Sequence, residues 1–272
     1  MFDANRFGQY IPGDSLIHRL DPRVKIISLI LYITVLLSLS SSQAIIILLL
    51  LVLFMAKMAG LGIKEIWGSL KPLLPILAFA FFLNLFIPGE NDTIIFEWSF
   101  LRISRESFIS AWIISARVAA LVLFSNLFLT LTTSAMQLTD GVSNLMGPLR
   151  HLGVPVEDIA MMMSIALRFV PVLMEETDKI MKAQSSRGAD YDTGGLVKRI
   201  RGFVTVLVPL FISSFRRADA LAQAMEARAY RSGMKRGKLR PLTLERKDII
   251  FFVTFTLVLL ALFPIESRFF LS

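Results

Sequence analysis

Long runs of apolar residues, separated by short polar stretches, dominate the hydrophobic pattern of this chain. A bilayer core is about 30 Å thick, so a helix needs roughly 20 mostly apolar residues to cross it. Five runs meet this need and predict transmembrane helices at residues 26–42, 44–63, 72–87, 108–131 and 249–265. Lys57 in the second run can extend its ammonium to the interface, and Pro72 and Pro75 are tolerated in the first turn of the third helix.

Two less apolar runs, at residues 160–174 and 202–214, leave a seven-span alternative open. Inserting them would carry Arg168 into the hydrocarbon, which is costly. It would also place six further basic residues outside the cell, although Lys and Arg resist translocation. These residues are Lys179, Lys182, Arg187, Lys198, Arg199 and Arg201. We therefore favour five spans.

Between the fourth and the last span, glycine and proline residues divide the chain into three helices. The breaks at Gly147-Pro148, Gly153-Val154-Pro155 and Gly194-Gly195 predict helices at 134–150, 155–187 and 196–228. Pro171 and Pro209 fall inside the two long helices and should kink them. The predicted fold class is an all-α integral membrane protein with about five spans and a cytoplasmic region of three helices, two of them long and kinked.

Charge patterning gives the direction of the spans. The chain has 272 residues and a net charge of +8, and residues 134–247 hold 18 of its 29 basic residues but 11 of its 21 acidic ones. We therefore predict a cytoplasmic N-terminal arm (1–25), four spans (26–131), a cytoplasmic or interfacial helical segment (132–247), and a last span with a tail that ends outside (248–272). The first 23 residues lack a signal-peptide pattern, so no cleaved leader is expected.

Both long helices are amphipathic but more apolar than ordinary surface helices. Apolar residues recur at helical spacing, among them Met163 and Val170 in the first and Val204 and Phe211 in the second. Ala218 and Ala222 would allow close approach of another backbone. We expect the helices to lie beneath the membrane and to bury one face on the spans or on another membrane protein. The alternative is a self-contained helical bundle.

The two long helices end alike. Asp178, Ala183 and the triplet Ser186-Arg187-Gly188 match Asp219, Ala224 and the triplet Ala227-Arg228-Ala229 at an offset of 41 residues. Each arginine has small neighbours, so its guanidinium can project into a partner and bind carboxylates or carbonyls in a bidentate manner. The alternative is that a helix C-terminus favours any cation, by about 0.3–1 kcal/mol.

Several catalytic classes are excluded or disfavoured by the residues present. The chain has no cysteine, which removes thiol nucleophiles and thiolate metal sites. It has no G-x-x-x-x-G-K-[ST] phosphate loop and no H-E-x-x-H, and its only histidines, His18 and His151, are far apart in sequence. The polar residues within the spans are Asn84, Arg117 and Asn126, and we expect them to form interhelical hydrogen bonds rather than a substrate pathway.

The N-terminal arm carries the most distinctive string of the sequence. It reads Gln9-Tyr10-Ile11-Pro12-Gly13-Asp14-Ser15 and then His18-Arg19-Leu20-Asp21-Pro22-Arg23-Val24-Lys25. This string resembles the opening of the T component of energy-coupling factor transporters, a family of membrane scaffolds in bacterial vitamin and metal importers. The two arginine triplets, and the longer stretch Ala224-Met225-Glu226-Ala227-Arg228-Ala229-Tyr230, resemble the family's second signature.

The resemblance implies a non-catalytic coupling subunit. Two ABC-type ATPase subunits would bind ATP and Mg²⁺ and hydrolyse the nucleotide, while this chain would bind no cofactor or metal. A separate substrate-binding membrane protein, the S component, would capture a vitamin or other micronutrient. By analogy Arg187 and Arg228, with their flanking residues Ser186, Gly188, Ala227 and Ala229, would each engage one ATPase. We expect the S component to pack on the apolar helix faces, at Met163, Val170, Val204, Phe211, Ala218 and Ala222.

The resemblance also implies residence in a prokaryotic cell membrane, with lipid but no nucleic acid among the partners. Two alternatives of other classes remain. The permease of an ordinary ABC importer would carry polar residues along several spans, and an integral membrane enzyme acting on lipids would need an acid/base or metal cluster near the interface. The sequence shows neither pattern.

Overall fold

The computed structural model describes residues 13–86, 94–98, 101–189, 195–231, 233 and 243–264. The start of the N-terminal string, Ile87, Gly194 and the end of the predicted last span lie outside these residues. The chain forms two compact units, one of residues 1–142 with 242–272 and the other of residues 143–241.

Helices make up most of both units. The α-helices are α1 Leu16–Arg19, α2 Pro22–Ser38, α3 Ser42–Met58, α4 Ile63–Leu70, α5 Leu74–Leu85, α6 Arg105–Ser125, α7 Ala135–Leu145, α8 Val156–Ser186, α9 Leu196–Ala227 and α10 Arg246–Leu260. Two 3₁₀ segments, Lys71–Leu73 and Gly147–Leu152, and a π-helical segment, Asn126–Leu131, adjoin them. The strands β1 Ile94–Trp98 and β2 Leu101–Ser104 pair antiparallel. The helical class is as predicted, with this short hairpin as an addition.

Apolar helices occupy all five predicted span positions, although their bounds differ. Within the described part of the chain, two continuous stretches, Ile63–Leu85 and Glu106–Leu129, are long and apolar enough to cross a membrane. In contrast, α2 and α3 have 17 residues each and α10 has 15. The predicted second span ends early, at Met58, and Gly60 follows at φ 76°. The third begins early because Pro72, which lacks an N–H, is accommodated in a 3₁₀ turn that joins α4 to α5.

Aromatic rings fill the centre of the first unit. Tyr32 of α2 stacks on Phe124 of α6 with ring centroids 3.9 Å apart, and Phe124 also stacks on Phe128 at 4.5 Å and on Phe255 of α10 at 5.7 Å. The four side chains are buried. Since buried aromatic rings contribute the largest apolar areas in a core, this stack holds the first, fourth and last apolar helices together.

Arg117 of α6 provides a polar contact within the same unit. Its Nη2 donates to the Leu39 carbonyl at 2.6 Å, at the C-terminal cap of α2. A helix C-terminus carries unpaired carbonyls and partial negative charge, so it is a natural partner for a guanidinium. The interhelical hydrogen bond expected for Arg117 is confirmed. Asn84 instead donates to Ala80 in its own helix at 2.8 Å.

The three helices predicted between the fourth and last spans appear as α7, α8 and α9. Pro171 and Pro209 lie inside α8 and α9, each of which continues through its proline. The predicted break at Gly147-Pro148 differs in detail: the chain continues as a 3₁₀ segment with Pro148 in its first turn. Gly153 then caps this segment at φ 81°, a conformation that glycine adopts without strain.

Candidate functional site

The second unit is built on the pairing of α8 with α9. Near the middle of α8, Glu176 accepts a hydrogen bond from Ser213 Oγ at 3.1 Å and forms an ion pair with Arg217. Near its start, Asp158 Oδ1 accepts a hydrogen bond from the Tyr230 hydroxyl at 3.2 Å. Moving toward the N-terminus of α8 therefore means moving toward the C-terminus of α9, so the two helices run antiparallel.

The Glu176 contacts also act on its charge. The pKa of this carboxyl lies below its usual value because Ser213 and Arg217 donate hydrogen bonds to the charged form. The pair links the two helices while the Arg217 side chain remains 42% exposed. Salt bridges this accessible to solvent contribute little to stability, so the link fixes the register of the two helices more than it stabilises the unit.

The C-terminal ends of α8 and α9 have the same backbone geometry. Arg187 and Arg228 are the C-cap residues, and the next residues, Gly188 and Ala229, adopt φ 85° and φ 57°. At the end of α8 the amide of residue 188 donates to Ser185 O and that of Ala189 donates to Gln184 O, both at 3.0 Å. This pair of bonds defines a Schellman cap.

The end of α9 repeats that cap with every residue number raised by 41. The Ala229 amide donates to Glu226 O at 2.9 Å and the Tyr230 amide donates to Met225 O at 3.0 Å. The sequence repeat of the triplets is therefore a repeat of backbone conformation. We call the triplets Ser186-Arg187-Gly188 and Ala227-Arg228-Ala229, with their caps, the arginine tips.

Both arginine tips are open to solvent. All six of their residues are exposed, and among the described residues neither guanidinium forms an ion pair. Because α8 and α9 run antiparallel, the tips lie at opposite ends of the pair. At 1.5 Å per residue, the 29 residues from Asp158 to Arg187 separate them by about 40 Å along the axis of α8. The arrangement presents two equivalent cations, far apart, on one helix pair.

The apolar faces of α8 and α9 divide into a packed side and an open side. Ile165, Phe169 and Leu173 of α8 and Leu221 of α9 line a groove of about 230 Å³ between the helices, which Ser214, Arg217 and Ala218 complete. The four large residues predicted for partner packing, in contrast, are 37–56% exposed: Met163, Val170, Val204 and Phe211. Ala218 and Ala222 are exposed as well. Periodicity identified the apolar stripe but not which part of it the helix pair uses.

A buried polar cluster in the first unit was missed by the sequence analysis, which named Lys25 only as part of the N-terminal string that resembles the family. Lys25 is 1% exposed and donates from Nζ to His18 O at 3.2 Å, Thr132 O at 2.7 Å and Thr133 Oγ1 at 3.3 Å. Asp21 and Asp248 are also buried, and Asp248 Oδ1 accepts the Asp21 amide hydrogen bond at 2.9 Å.

We call His18, Asp21, Lys25, Thr132, Thr133 and Asp248 the N-terminal joint. It brings together the start of α2, the residues after the π-helical segment and the start of α10. The only sequence signal for it was the concentration of charge and proline in the string from His18 to Lys25, immediately before an apolar run.

Taken together, the apolar helices of the first unit and the paired, arginine-ended helices of the second define a helical membrane protein that presents matched cationic tips. Comparison with known proteins identifies the class. The family model described as cobalt transport protein matches residues 13–239. Proteins named energy-coupling factor transporter transmembrane protein EcfT are similar along nearly the whole chain.

The EcfT of Clostridium kluyveri is 46% identical over 243 residues, which cover 89% of this chain and 90% of that protein. The EcfT of Thermosediminibacter oceani is 44% identical over 262 residues, 96% of this chain and 97% of that one. The EcfT of Bacillus subtilis is 40% identical over 267 residues, 98% of this chain and 100% of that one. The chain belongs to this family, the transmembrane components of energy-coupling factor transporters.

Proposed function

We propose that this chain is the coupling scaffold of an energy-coupling factor importer. It would transmit ATP-driven motion of two ABC-type ATPase subunits to a substrate-binding S component in the membrane, for uptake of a vitamin or other micronutrient. In this role the chain performs no catalysis and binds no cofactor, since ATP and Mg²⁺ belong to the ATPases. The observation that carries the proposal is the pair of exposed arginine tips, alike in backbone geometry, at opposite ends of one helix pair.

The identity of the two caps supports two equivalent docking partners. A dipole contribution of about 0.3–1 kcal/mol would explain a basic residue at a helix end. It does not explain Ala229 at φ 57°, because a non-glycine residue in this conformation costs roughly 1–2 kcal/mol. Strain of this kind persists where function requires a particular geometry. An ATPase pair, whether homologous subunits or a homodimer, would offer two like grooves, one for each tip.

Transmission requires an element that moves as one body. The antiparallel pair of α8 and α9 is joined by Glu176, Ser213 and Arg217. A displacement of the arginine tips at its ends can therefore be transmitted to its apolar faces. The open apolar stripe with Met163, Val170, Val204 and Phe211 gives the S component a surface to pack on. Nucleotide state then needs to shift the balance between two arrangements by only a few kcal/mol.

Charge reversal at the tips tests the proposal. We expect Arg187→Glu or Arg228→Glu to insert normally but to bind the ATPases at least about 30-fold more weakly, since breaking a buried interfacial charge pair costs roughly 2–5 kcal/mol. The double variant should abolish uptake. Arg216→Glu, exposed on the same helix as Arg228, is the matched control and should bind normally.

The measurement is retention of the ATPases on the affinity-tagged scaffold after membrane solubilisation, together with uptake in the same cells. Normal ATPase retention and uptake in the double variant would refute the coupling role. That result would instead favour the permease of an ordinary ABC importer. Such a permease forms its own translocation path and should transport substrate without an S component.

A further inference from the structure

We propose that the N-terminal joint anchors α7, the first of the three helices after the fourth span, to the start of α2. Lys25 and Gly141 are the positioning residues that keep this attachment rigid. The proposal rests on the coupling function above and assigns a role to the string from His18 to Lys25, which that function leaves unexplained. It concerns the contacts by which α7 is held against the apolar helices of the first unit.

Lys25 joins two segments that are far apart in sequence. Its ammonium bonds to His18 O in the N-terminal arm and to Thr132 O and Thr133 Oγ1, two and one residues before Ser134. Thr133 Oγ1 and Thr132 Oγ1 in turn donate to carbonyls in the first half of the π-helical segment, Phe128 O at 2.5 Å and Leu127 O at 2.8 Å. One cation therefore caps the fourth apolar helix at the point where the chain turns into α7.

Two buried carboxylates complete the N-terminal joint. Asp21 is the N-cap of α2 and accepts the Arg23 amide hydrogen bond at 2.8 Å. Asp248 forms a capping box with Glu245 at the start of α10 and also accepts the Asp21 amide hydrogen bond. The two carboxylates compensate the helix starts. They also interact electrostatically with the buried Lys25 ammonium, as buried charges require partners of opposite sign.

Gly141 supplies a second, independent contact between α7 and α2. A Cβ at this position of α7 would lie 2.9 Å from Pro22 Cβ and 3.1 Å from Ile26 Cδ1. The backbone of α7 therefore rests directly on the start of α2, at an approach that only glycine permits. Since α7 leads the chain out of the first unit, a loose contact here would absorb displacement that should reach the spans.

The first test replaces Lys25 with Met in the complete transporter, reconstituted with its ATPases and S component in lipid vesicles. Substrate uptake and ATP hydrolysis are measured on the same vesicles. We expect the ATPases to remain bound, because the arginine tips are intact, and uptake per ATP hydrolysed to fall at least about fivefold, as for loss of an allosteric coupling. Arg19→Met is the matched control, since Arg19 carries the same charge in the same arm but is 68% exposed.

A merely structural role would reduce uptake and hydrolysis together, in proportion to the amount of folded complex. An unchanged ratio of uptake to hydrolysis in Lys25→Met would therefore overturn the proposal. If Lys25→Met does not accumulate in the membrane, Gly141→Ala decides the matter, with Gly147→Ala as control because a Cβ at Gly147 meets no atom within 4 Å. Gly141→Ala should lower the ratio of uptake to hydrolysis and Gly147→Ala should not. An equal ratio in the two variants would overturn the proposal.

The outcome is separable from that of the coupling function. If ATPase binding does not depend on Arg187 and Arg228, the coupling function itself fails. If ATPase binding does depend on these arginines but the Lys25 and Gly141 variants keep the normal ratio of uptake to hydrolysis, only the proposed role of the N-terminal joint fails.

Discussion

Single residues determine the shape of the arginine tips. After each C-cap arginine the chain turns through a left-handed residue, which is Gly188 in α8 and Ala229 in α9. Glycine adopts this conformation freely, while alanine is strained in it by roughly 1–2 kcal/mol. The two tips thus reach one geometry at different energetic cost.

This difference predicts opposite effects for exchanging the two residues. Gly188→Ala should destabilise the cap of α8 by about 1 kcal/mol, and Ala229→Gly should stabilise that of α9 by a similar amount. No steric clash complicates the first change, because a Cβ at Gly188 meets no atom within 4 Å. Hydrogen exchange of the Ala189 and Tyr230 amides, which close the two caps, measures the effect. Faster exchange at Tyr230 in Ala229→Gly would contradict this account.

Among the helices, α8 and α9 are joined near their middles by a polar contact between apolar stripes. Glu176 binds Ser213 and Arg217 across the helix pair, beside the groove lined by Phe169 and Leu221. A carboxylate held by two donors restricts the register of a helix pair more sharply than apolar contacts do, because hydrogen bonds are directional. The contact therefore specifies which residues of the two helices face each other.

Acid should weaken this contact. The pKa of Glu176 is lowered from 4.5 by its hydrogen bonds to Ser213 and Arg217. The contribution is therefore fully present above the ordinary carboxyl pKa and is lost as the pH falls through the lowered one. In thermal unfolding of the purified protein between about pH 7 and about pH 3, Glu176→Gln should remove part of the acid destabilisation. Glu175→Gln, on the neighbouring exposed residue, serves as control. Identical pH profiles for wild type and Glu176→Gln would count against the contact.

At the scale of the molecule, the N-terminal joint places three chain positions on one side of the first unit. The start of α2, the residues after the fourth apolar helix and the start of α10 meet there, while the C-terminal end of α2 at Leu39 is bound by Arg117 in the middle of α6. A chain that crosses the membrane from the N-terminal joint to Leu39 in the first span and returns to the joint at the end of the fourth matches the predicted order of spans. In the predicted topology, which keeps the basic N-terminal arm in the cytoplasm, the N-terminal joint is expected on the cytoplasmic side.

The absence of cysteine in the sequence makes this topology directly measurable. A cysteine at Ser186 should react with a membrane-impermeant maleimide only from the cytoplasmic side, and one at Ser41 only from outside. Inverted and right-side-out vesicles distinguish the two. Labelling of the Ser186 variant from outside would contradict both the five-span topology and the proposed ATPase contact.

Local sequence patterns were sufficient to predict the positions of the apolar helices, the two long arginine-ended helices and the repeat of their tips. These features follow from helical periodicity, from glycine and proline at helix ends and from the small residues around each arginine, all of which act within a few residues. Even the bounds of α8 and α9 agree with the prediction to within about one residue.

The tertiary structure alone decided which side of the apolar stripe is packed and which polar residues are buried. Leu173 and Leu221 line the groove while Met163 and Val170 stay open, because that choice depends on the register of two helices. Lys25 and Asp248 are interior rather than surface charges, because Asp248 meets Asp21 across 227 residues of sequence. A pairing between segments so far apart leaves no periodic trace in either of them.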